Sequence, residues 1–224
     1  MPTHDLLIFD LDGTLIDSKR DLSDSVNATR AWLGLQPLAD ELVFSYVGAG
    51  ASVLVRRSLS DVKPALDEVT IERAHHHFLD YYRDHMLDAT TLYPGVRDAL
   101  DRLHSARIPM AILTNKPVRF STILIQRLKL EPNFFRIYGG NSFEGKKPSP
   151  VGIDKLVHEA SADRARTVMV GDSSVDVLTA RNAGVRACGV SWGFQPQTFA
   201  DTPPDFIIDE MGSLVEMVLR DVPK

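Results

Sequence analysis

The chain has almost no cysteine: Cys188 is the only one in 224 residues, so no disulfide can form within it. It lies in the apolar stretch from Arg186 to Val190, which reads as a buried thiol in a reducing compartment rather than a nucleophile. Long basic blocks are also missing. Lys and Arg total 25 against 30 Asp and Glu, a net charge of −5, and no stripe of positive charge is there to follow a phosphate backbone, so nucleic acid is not expected as a partner. Long apolar runs are missing too. The start, Met1-Pro2-Thr3-His4-Asp5, carries no basic region, and the run after it is interrupted at Asp10, too soon for a signal sequence or a membrane span. A soluble, cytoplasmic protein with no membrane partner is expected. Internal repeats, low-complexity tracts and long flexible linkers are likewise not found. What is present is a 44% hydrophobic composition, enough for a sizeable core in one large or two smaller domains.

That apolar material is distributed in short runs at Leu6 to Phe9, Met110 to Leu113, Thr167 to Val170, Ala187 to Val190 and Phe206 to Ile208, which read as buried strands. From Pro94 onward they alternate with helical patterns. Pro94 stands where a helix would start, ahead of Val96, Leu100 and Leu103, and further helices are predicted at Val118 to Leu130, Val151 to Ala160 and Val175 to Ala183, the last closed by Gly184. This series predicts an α/β fold with a Rossmann-like, mostly parallel sheet. Residues 17–89 break the rhythm: they show helical periodicity at about Leu22 to Leu33, Glu41 to Tyr46, Ala51 to Leu59 and Glu68 to Met86, with no convincing strand. They predict an inserted all-helical cap subdomain, placed as a lid over a core made of residues 1–16 and 90–224.

The chemistry is concentrated at predicted strand ends. Leu6 to Phe9 runs into Asp10-Leu11-Asp12-Gly13-Thr14, and residues two apart on a strand share a face, so Asp10 and Asp12 are expected to project together at the carboxyl edge of the sheet. With Gly13 for a tight turn and Thr14 for a hydroxyl and an amide, such a site can hold a divalent cation and an oxyanion, and it suits phosphoryl transfer through an acyl phosphate. Asp-Gly after an apolar run is also an ordinary turn signal. Thr114 and Asn115 end a second strand; Thr114 can donate to a phosphoryl oxygen, or either residue can cap the next helix. In Gly145-Lys146-Lys147-Pro148 the proline stiffens the backbone around Lys147, which suits aiming one ammonium, while Lys146 reads as solvated. Gly171-Asp172-Ser173-Ser174-Val175-Asp176 is a third strand ending in acid, with Asp176 in the first turn of a helix, where a carboxylate is favourable in any case. Carboxylates gathered on one edge repel without a cation, and magnesium is the natural match.

In the helical insert, Gly48 and Gly50 introduce a helix that bears Arg56, a combination able to meet an anion or simply to pack tightly. It is not a dinucleotide fingerprint, because a third glycine and a preceding strand are missing. His75-His76-His77 points in different directions around a helix and reads as surface.

Taken together, FDLDGTLIDS at Phe9 to Ser18, LTNK at Leu113 to Lys116, KKPSP at Lys146 to Pro150 and GDSSVD at Gly171 to Asp176 resemble the four ordered motifs of the haloacid dehalogenase superfamily, over nearly the whole chain. The insert, through YVGAGASVLVRR, and the LTNKP run resemble the phosphoglycolate phosphatase group most closely. The resemblance implies a magnesium-dependent phosphatase in which Asp10 is the nucleophile and a metal ligand. Asp12 would be the general acid and base, binding the metal through its backbone carbonyl. Thr114 and Lys147 would stabilise the transferred phosphoryl group with Asn115 beside them, Asp172 would bind the metal, and Asp176 would support it. Asp12 favours phosphate esters over the dehalogenase and phosphonatase branches. The leading substrate is 2-phosphoglycolate, a small phosphorylated metabolite, with Gly48, Gly50 and Arg56 of the insert as candidate contacts. Ala49 stands where many of the group carry asparagine, which leaves open pyrophosphate, a sugar phosphate or a nucleoside monophosphate as substrate. A sugar phosphomutase would use the same carboxylates, and a phosphate-binding protein without turnover is a third alternative, against which the intact Asp10, Asp12, Thr114, Lys147 and Asp172 argue. A monomer or a homodimer is equally consistent with the sequence.

Overall fold

The computed structural model describes residues 4–219. In chain order the elements are β1 (Leu6–Phe9), β2 (Ile16–Asp17), α1 (Lys19–Trp32), α2 (Asp40–Tyr46), α3 (Ala51–Ser58), α4 (Glu68–His85), β3 (Thr91–Leu92), α5 (Val96–Ser105), β4 (Met110–Leu113), α6 (Val118–Arg127), β5 (Arg136–Tyr138), α7 (Val151–Ala160), β6 (Thr167–Gly171), α8 (Ser174–Ala183), β7 (Arg186–Val190), β8 (Phe206–Ile208) and α9 (Met211–Leu219). The chain forms two compact units, Met1–Ile16 with Leu92–Lys224, and Asp17–Thr91.

The first unit is built on a six-stranded sheet in the order β5-β4-β1-β6-β7-β8, and every pairing in it is parallel. β1 is central because all four of its residues, Leu6, Leu7, Ile8 and Phe9, are apolar and fully buried, as a parallel sheet covered on both faces requires. Leu6 and Ile8, with Ala111, Leu113, Met169 and Ala187, form a core with Ile153 and Leu156 of α7 and Val177 and Ala180 of α8. By alternation Leu7 and Phe9 face the other way, where Phe9 meets Phe134 edge-on at 6.2 Å. The register pairs Phe9 with Ile112 on one side and Val170 on the other, so the strands on either side of β1 each run one residue past its end. Successive connections run from β1 to β4 and β5 on one side, then to β6, β7 and β8 on the other. The reversal falls at β1, where ligands bind in open α/β sheets. Slipping β1 by one residue would drag Asp10 into the apolar register, and the cost of an unpaired buried carboxylate holds the register in place.

The second unit is helical. Leu22 and Val26 of α1, Leu54 and Val55 of α3, and Ala74, Phe78 and Tyr82 of α4 are buried, and Phe78 stacks on Tyr82 one turn later. Arg30 of α1 is buried and well partnered: it donates to the Ser58 and Gln36 carbonyls and forms a two-pronged ion pair with Asp61. Asp21 in the first turn of α1 accepts from the Ala89 amide at 2.9 Å, the Thr90 amide at 2.9 Å and the Thr90 hydroxyl at 2.6 Å, which fastens the end of the unit to its beginning.

The predicted strands and helices are present with small changes of boundary. Three strands were not expected. β5 has only three residues, none fully buried, and no alternation to read; β2 and β3 are two residues each and pair with one another. α9 also went unpredicted, and α6 ends at Arg127 rather than at Leu130. Lys129 turns the chain there with φ of 56°, a left-handed position usually advertised by glycine.

Candidate active site

β1, β4 and β6 deliver Asp10, Thr114 and Asp172 to one edge of the sheet, each as the first residue past its strand. Asp10 donates its backbone amide to the Val170 carbonyl at 2.9 Å, continuing the ladder by one bond. Asp176 is brought back from the first turn of α8 by a reciprocal cap, in which its carboxylate accepts from the Ser173 amide and hydroxyl. Carboxylate oxygens of Asp10, Asp172 and Asp176 lie within 4.8 Å of one another, and all three residues are buried.

Lys147 reaches into this cluster. Its ammonium is 2.8 Å from Asp10 Oδ1 and 2.6 Å from Asp176 Oδ1. The loop that carries it is strapped by Asn115, whose side-chain carbonyl accepts from the Lys147 amide at 3.0 Å while its amide donates to the Lys147 carbonyl at 3.1 Å. The Asn115 side chain, expected beside the substrate, thus holds the Lys147 backbone through both its amide and its carbonyl. Thr114 is buried, and its hydroxyl oxygen accepts from the Lys116 amide at 3.3 Å. The buried Thr14 hydroxyl meets no hydrogen-bond partner among the described residues.

Burial raises the Asp10 pKa to about 6; the Lys147 ammonium pulls it down and the Asp176 carboxylate adds to the rise. Burial, then Asp176 and Asp10, push Asp172 well above the usual carboxylate range, against the pull of the Phe194 amide. Burial alone would lower Lys147, but Asp10 and Asp176 outweigh it and hold the ammonium protonated. One ammonium set against three carboxylates leaves negative charge that a divalent cation would match, and the hard oxygen donors of Asp10 and Asp172 suit magnesium.

β1 stops at Phe9 and the residues beyond it turn, with the Leu11 carbonyl accepting from the amides of Thr14, Leu15 and Ile16. The Asp12 carboxylate meets Lys116, whose ammonium is 3.0 Å from one oxygen and 2.9 Å from the other. Sequence reasoning named Lys116 only as the end of a motif; its burial and pairing needed the fold.

A second contribution escaped notice altogether. The segment after β7 folds back so that the Phe194 amide, at 2.6 Å, and the Gln195 amide, at 3.3 Å, donate to Asp172 Oδ2. Gly193 allows this approach, since a Cβ there would overlap the Asp172 side chain and the Gly13 carbonyl oxygen. Trp192 anchors the same segment by donating from its indole nitrogen to the Thr14 carbonyl at 3.2 Å. No spacing in the sequence ties residues 192–195 to Asp172.

Within the helical unit, Gly48 and Gly50 take positive φ values of 112° and 93° and lead into α3. Arg56 of α3 forms a two-pronged pair with Glu68 at 2.8 and 2.7 Å, and both side chains are exposed. Its guanidinium, expected at the substrate, is thus occupied by a neighbour 12 residues along. His77 stacks on Trp32 at 4.9 Å, and His75 and His76 face Glu72. Cys188 is buried in β7, where burial pushes its thiol pKa up, as expected of a core thiol.

Residues 7–190 match the family model of haloacid dehalogenase-like hydrolases, and the chain belongs to that family. It is 41% identical to a phosphoglycolate phosphatase of Chromobacterium violaceum over 187 residues, 83% of this chain and 84% of the relative. Over 223 residues, 98% of this chain and 99% of the relative, it is 34% identical to a phosphoglycolate phosphatase of Vibrio cholerae. A crystal structure described as a predicted phosphoglycolate phosphatase from Haemophilus somnus superposes with a TM-score of 0.92 at 28% identity, covering 97% of this chain and 99% of that one. The chain is a phosphatase-type enzyme of this family. None of the helices described is long and apolar enough to cross a membrane.

Proposed function

We propose that this enzyme is a magnesium-dependent phosphatase that hydrolyses 2-phosphoglycolate through an aspartyl phosphate on Asp10, acting in the cytoplasm. The observation that carries this reading is the buried group of Asp10, Asp172 and Asp176 with Lys147 paired to two of its members, at the reversal point of the sheet. The relatives' names supply the substrate, and the single buried, reduced-type cysteine accords with the compartment.

Asp10 is the nucleophile: a carboxylate oxygen attacks phosphorus in line as the bond from phosphorus to the glycolate oxygen breaks. Lys147 neutralises charge on the phosphoryl oxygens, and the Thr114 hydroxyl donates to one of them. Asp12 gives a proton to the departing glycolate oxygen, then accepts one from the water that attacks the aspartyl phosphate, releasing inorganic phosphate and regenerating Asp10. Asp10, Asp172 and the Asp12 backbone carbonyl would hold magnesium, which when bound supplies positive charge to the phosphoryl oxygens and to the nucleophile.

Phosphate release from 2-phosphoglycolate, pyrophosphate, sugar phosphates and nucleotides, with and without magnesium, tests the reading. The expected result is sustained, magnesium-dependent turnover of 2-phosphoglycolate, without a sugar bisphosphate activator, that is lost in Asp10→Asn. Preference for another ester would reassign the substrate; turnover surviving in Asp10→Asn would remove the aspartyl phosphate.

A further inference from the structure

We propose that Thr198 is a positioning residue for Asp172: its hydroxyl locks the segment that aims this carboxylate onto the start of α8. The inference rests on Asp172 holding magnesium and deepens that reading. Asp172 Oδ2 accepts from the Phe194 amide at 2.6 Å and the Gln195 amide at 3.3 Å, and a Cβ added at either Gly13 or Gly193 would overlap the same oxygen. Two donors on one oxygen fix the rotation of a carboxylate, so the direction of Oδ1 follows from where residues 194–195 sit. Whatever holds that irregular segment therefore sets the geometry of a metal ligand.

The Thr198 hydroxyl makes two bonds at once. It donates to the Gln195 carbonyl at 2.7 Å, where the Thr198 amide also donates at 3.0 Å, and it accepts from the Ser174 amide at 2.8 Å. Ser174 is the first residue of α8, where a backbone amide has no partner inside its own helix, and the Ser173 hydroxyl before it is turned to Asp176. A hydroxyl 24 residues away supplies that partner and so ties Gln195 to the helix turn that carries Asp176. The chain around Thr198 is itself anchored. It forms a short 3-10 turn, Pro196–Ala200, whose Phe199 is buried in the core with Val177 and Ala180 of α8, and Gly189 of β7 makes room for the Phe199 ring. Arg181, further along α8, donates to the Pro203 carbonyl at 2.6 Å.

The position calls for a group that donates and accepts together, which a hydroxyl does. Valine has nearly the same outline and neither capacity. It would leave the Ser174 amide without this acceptor and the Gln195 carbonyl with one donor fewer, so the two amides would no longer be held against Asp172. Groups that orient metal ligands from outside typically cost about 10- to 100-fold in metal affinity when removed. Serine keeps the hydroxyl and both bonds.

Isothermal titration of magnesium into wild type, Thr198→Val, Thr198→Ser and Asp172→Asn tests the assignment, together with urea unfolding of each in EDTA. The dissociation constant describes the folded molecules, so a smaller folded fraction lowers the stoichiometry and not the affinity. Should Thr198→Val fail to fold, Thr198→Ala removes the same hydroxyl with less bulk. The hydroxyl-free variant should bind magnesium about 10-fold more weakly than wild type, Thr198→Ser as tightly as wild type, and Asp172→Asn most weakly of all. Lower stability with wild-type magnesium affinity in the hydroxyl-free variant would show that Thr198 only caps α8, and would overturn the inference while leaving the proposed function intact. An equal loss of affinity in Thr198→Ser would do the same. A wild type that binds no magnesium, or binds it no better than Asp172→Asn does, would overturn both.

Discussion

Two carboxylates separated by a single residue in the chain meet unlike neighbours. Asp10 is held among Asp172, Asp176 and Lys147, whereas Asp12 is turned to Lys116. In the proposed mechanism the division of labour between nucleophile and proton carrier therefore comes from surroundings, not from residue type. Replacing Asp12 by alanine should lower kcat on 2-phosphoglycolate by about 10²- to 10⁴-fold, as loss of a general acid does. On p-nitrophenyl phosphate, whose leaving group departs without a proton, the loss should be much smaller. Equal losses on both esters would argue that Asp12 shapes the site rather than moving protons. That Asp10, Asp172 and Lys147 are candidates for one site was legible because each follows a strand or adjoins a proline, and the fold brings them together. The partner of Asp12 was not, since a lysine looks the same in sequence whether solvated or buried.

At the scale of elements, the site depends on a segment that belongs to no helix or strand. Residues 192–195 bring two backbone amides to Asp172 and an indole to the Thr14 carbonyl. Gly193→Ala should force Asp172 or the Gly13 turn to move, costing about 1–3 kcal/mol of stability as overpacking does. Displacing a carboxylate by even an ångström should also cut kcat by about 10²-fold. Urea unfolding and steady-state kinetics on the same variant would check both; an alanine accepted with neither change would mean that the loop relaxes freely. Helix ends show the same limit of local reading. α8 closes at Gly184 with φ of 66°, as its sequence announces, whereas α6 stops before Lys129 and α7 before Ser161, residues that take the left-handed turn with no glycine to mark it.

At the scale of the whole molecule, the acid cluster makes stability depend on pH and on metal. Asp10, at about 6, and Asp172 titrate above ordinary carboxylates, so between about pH 4 and 6 the folded chain holds protons that the unfolded chain has released. Their contribution is therefore present at low pH and is lost as pH rises through the folded-state values, opposite in sign to that of an ion-paired surface carboxylate. In EDTA, the melting temperature of wild type relative to Asp10→Asn should fall from pH 4.5 to 7. Magnesium at pH 7.5 should raise it again, by about 2.7 kcal/mol of stability when present at 100 times its dissociation constant, and by much less in Asp172→Asn. A wild-type melting temperature indifferent to magnesium would count against a metal at these carboxylates.

The sequence by itself determined the class of fold, the order of the strands and helices that carry the motifs, and the acids at the strand ends. These follow from local patterns: apolar runs short enough to be strands, helical periodicity between them, and polar residues where each run stops. The register of β1 against β4 and β6, the pairing of Lys116 with Asp12, the strap from Asn115 to Lys147 and the amides presented to Asp172 were decided by tertiary structure alone. Each joins residues far apart in the chain through a specific approach of backbone or charge, and such an approach leaves no periodic trace in the amino-acid order.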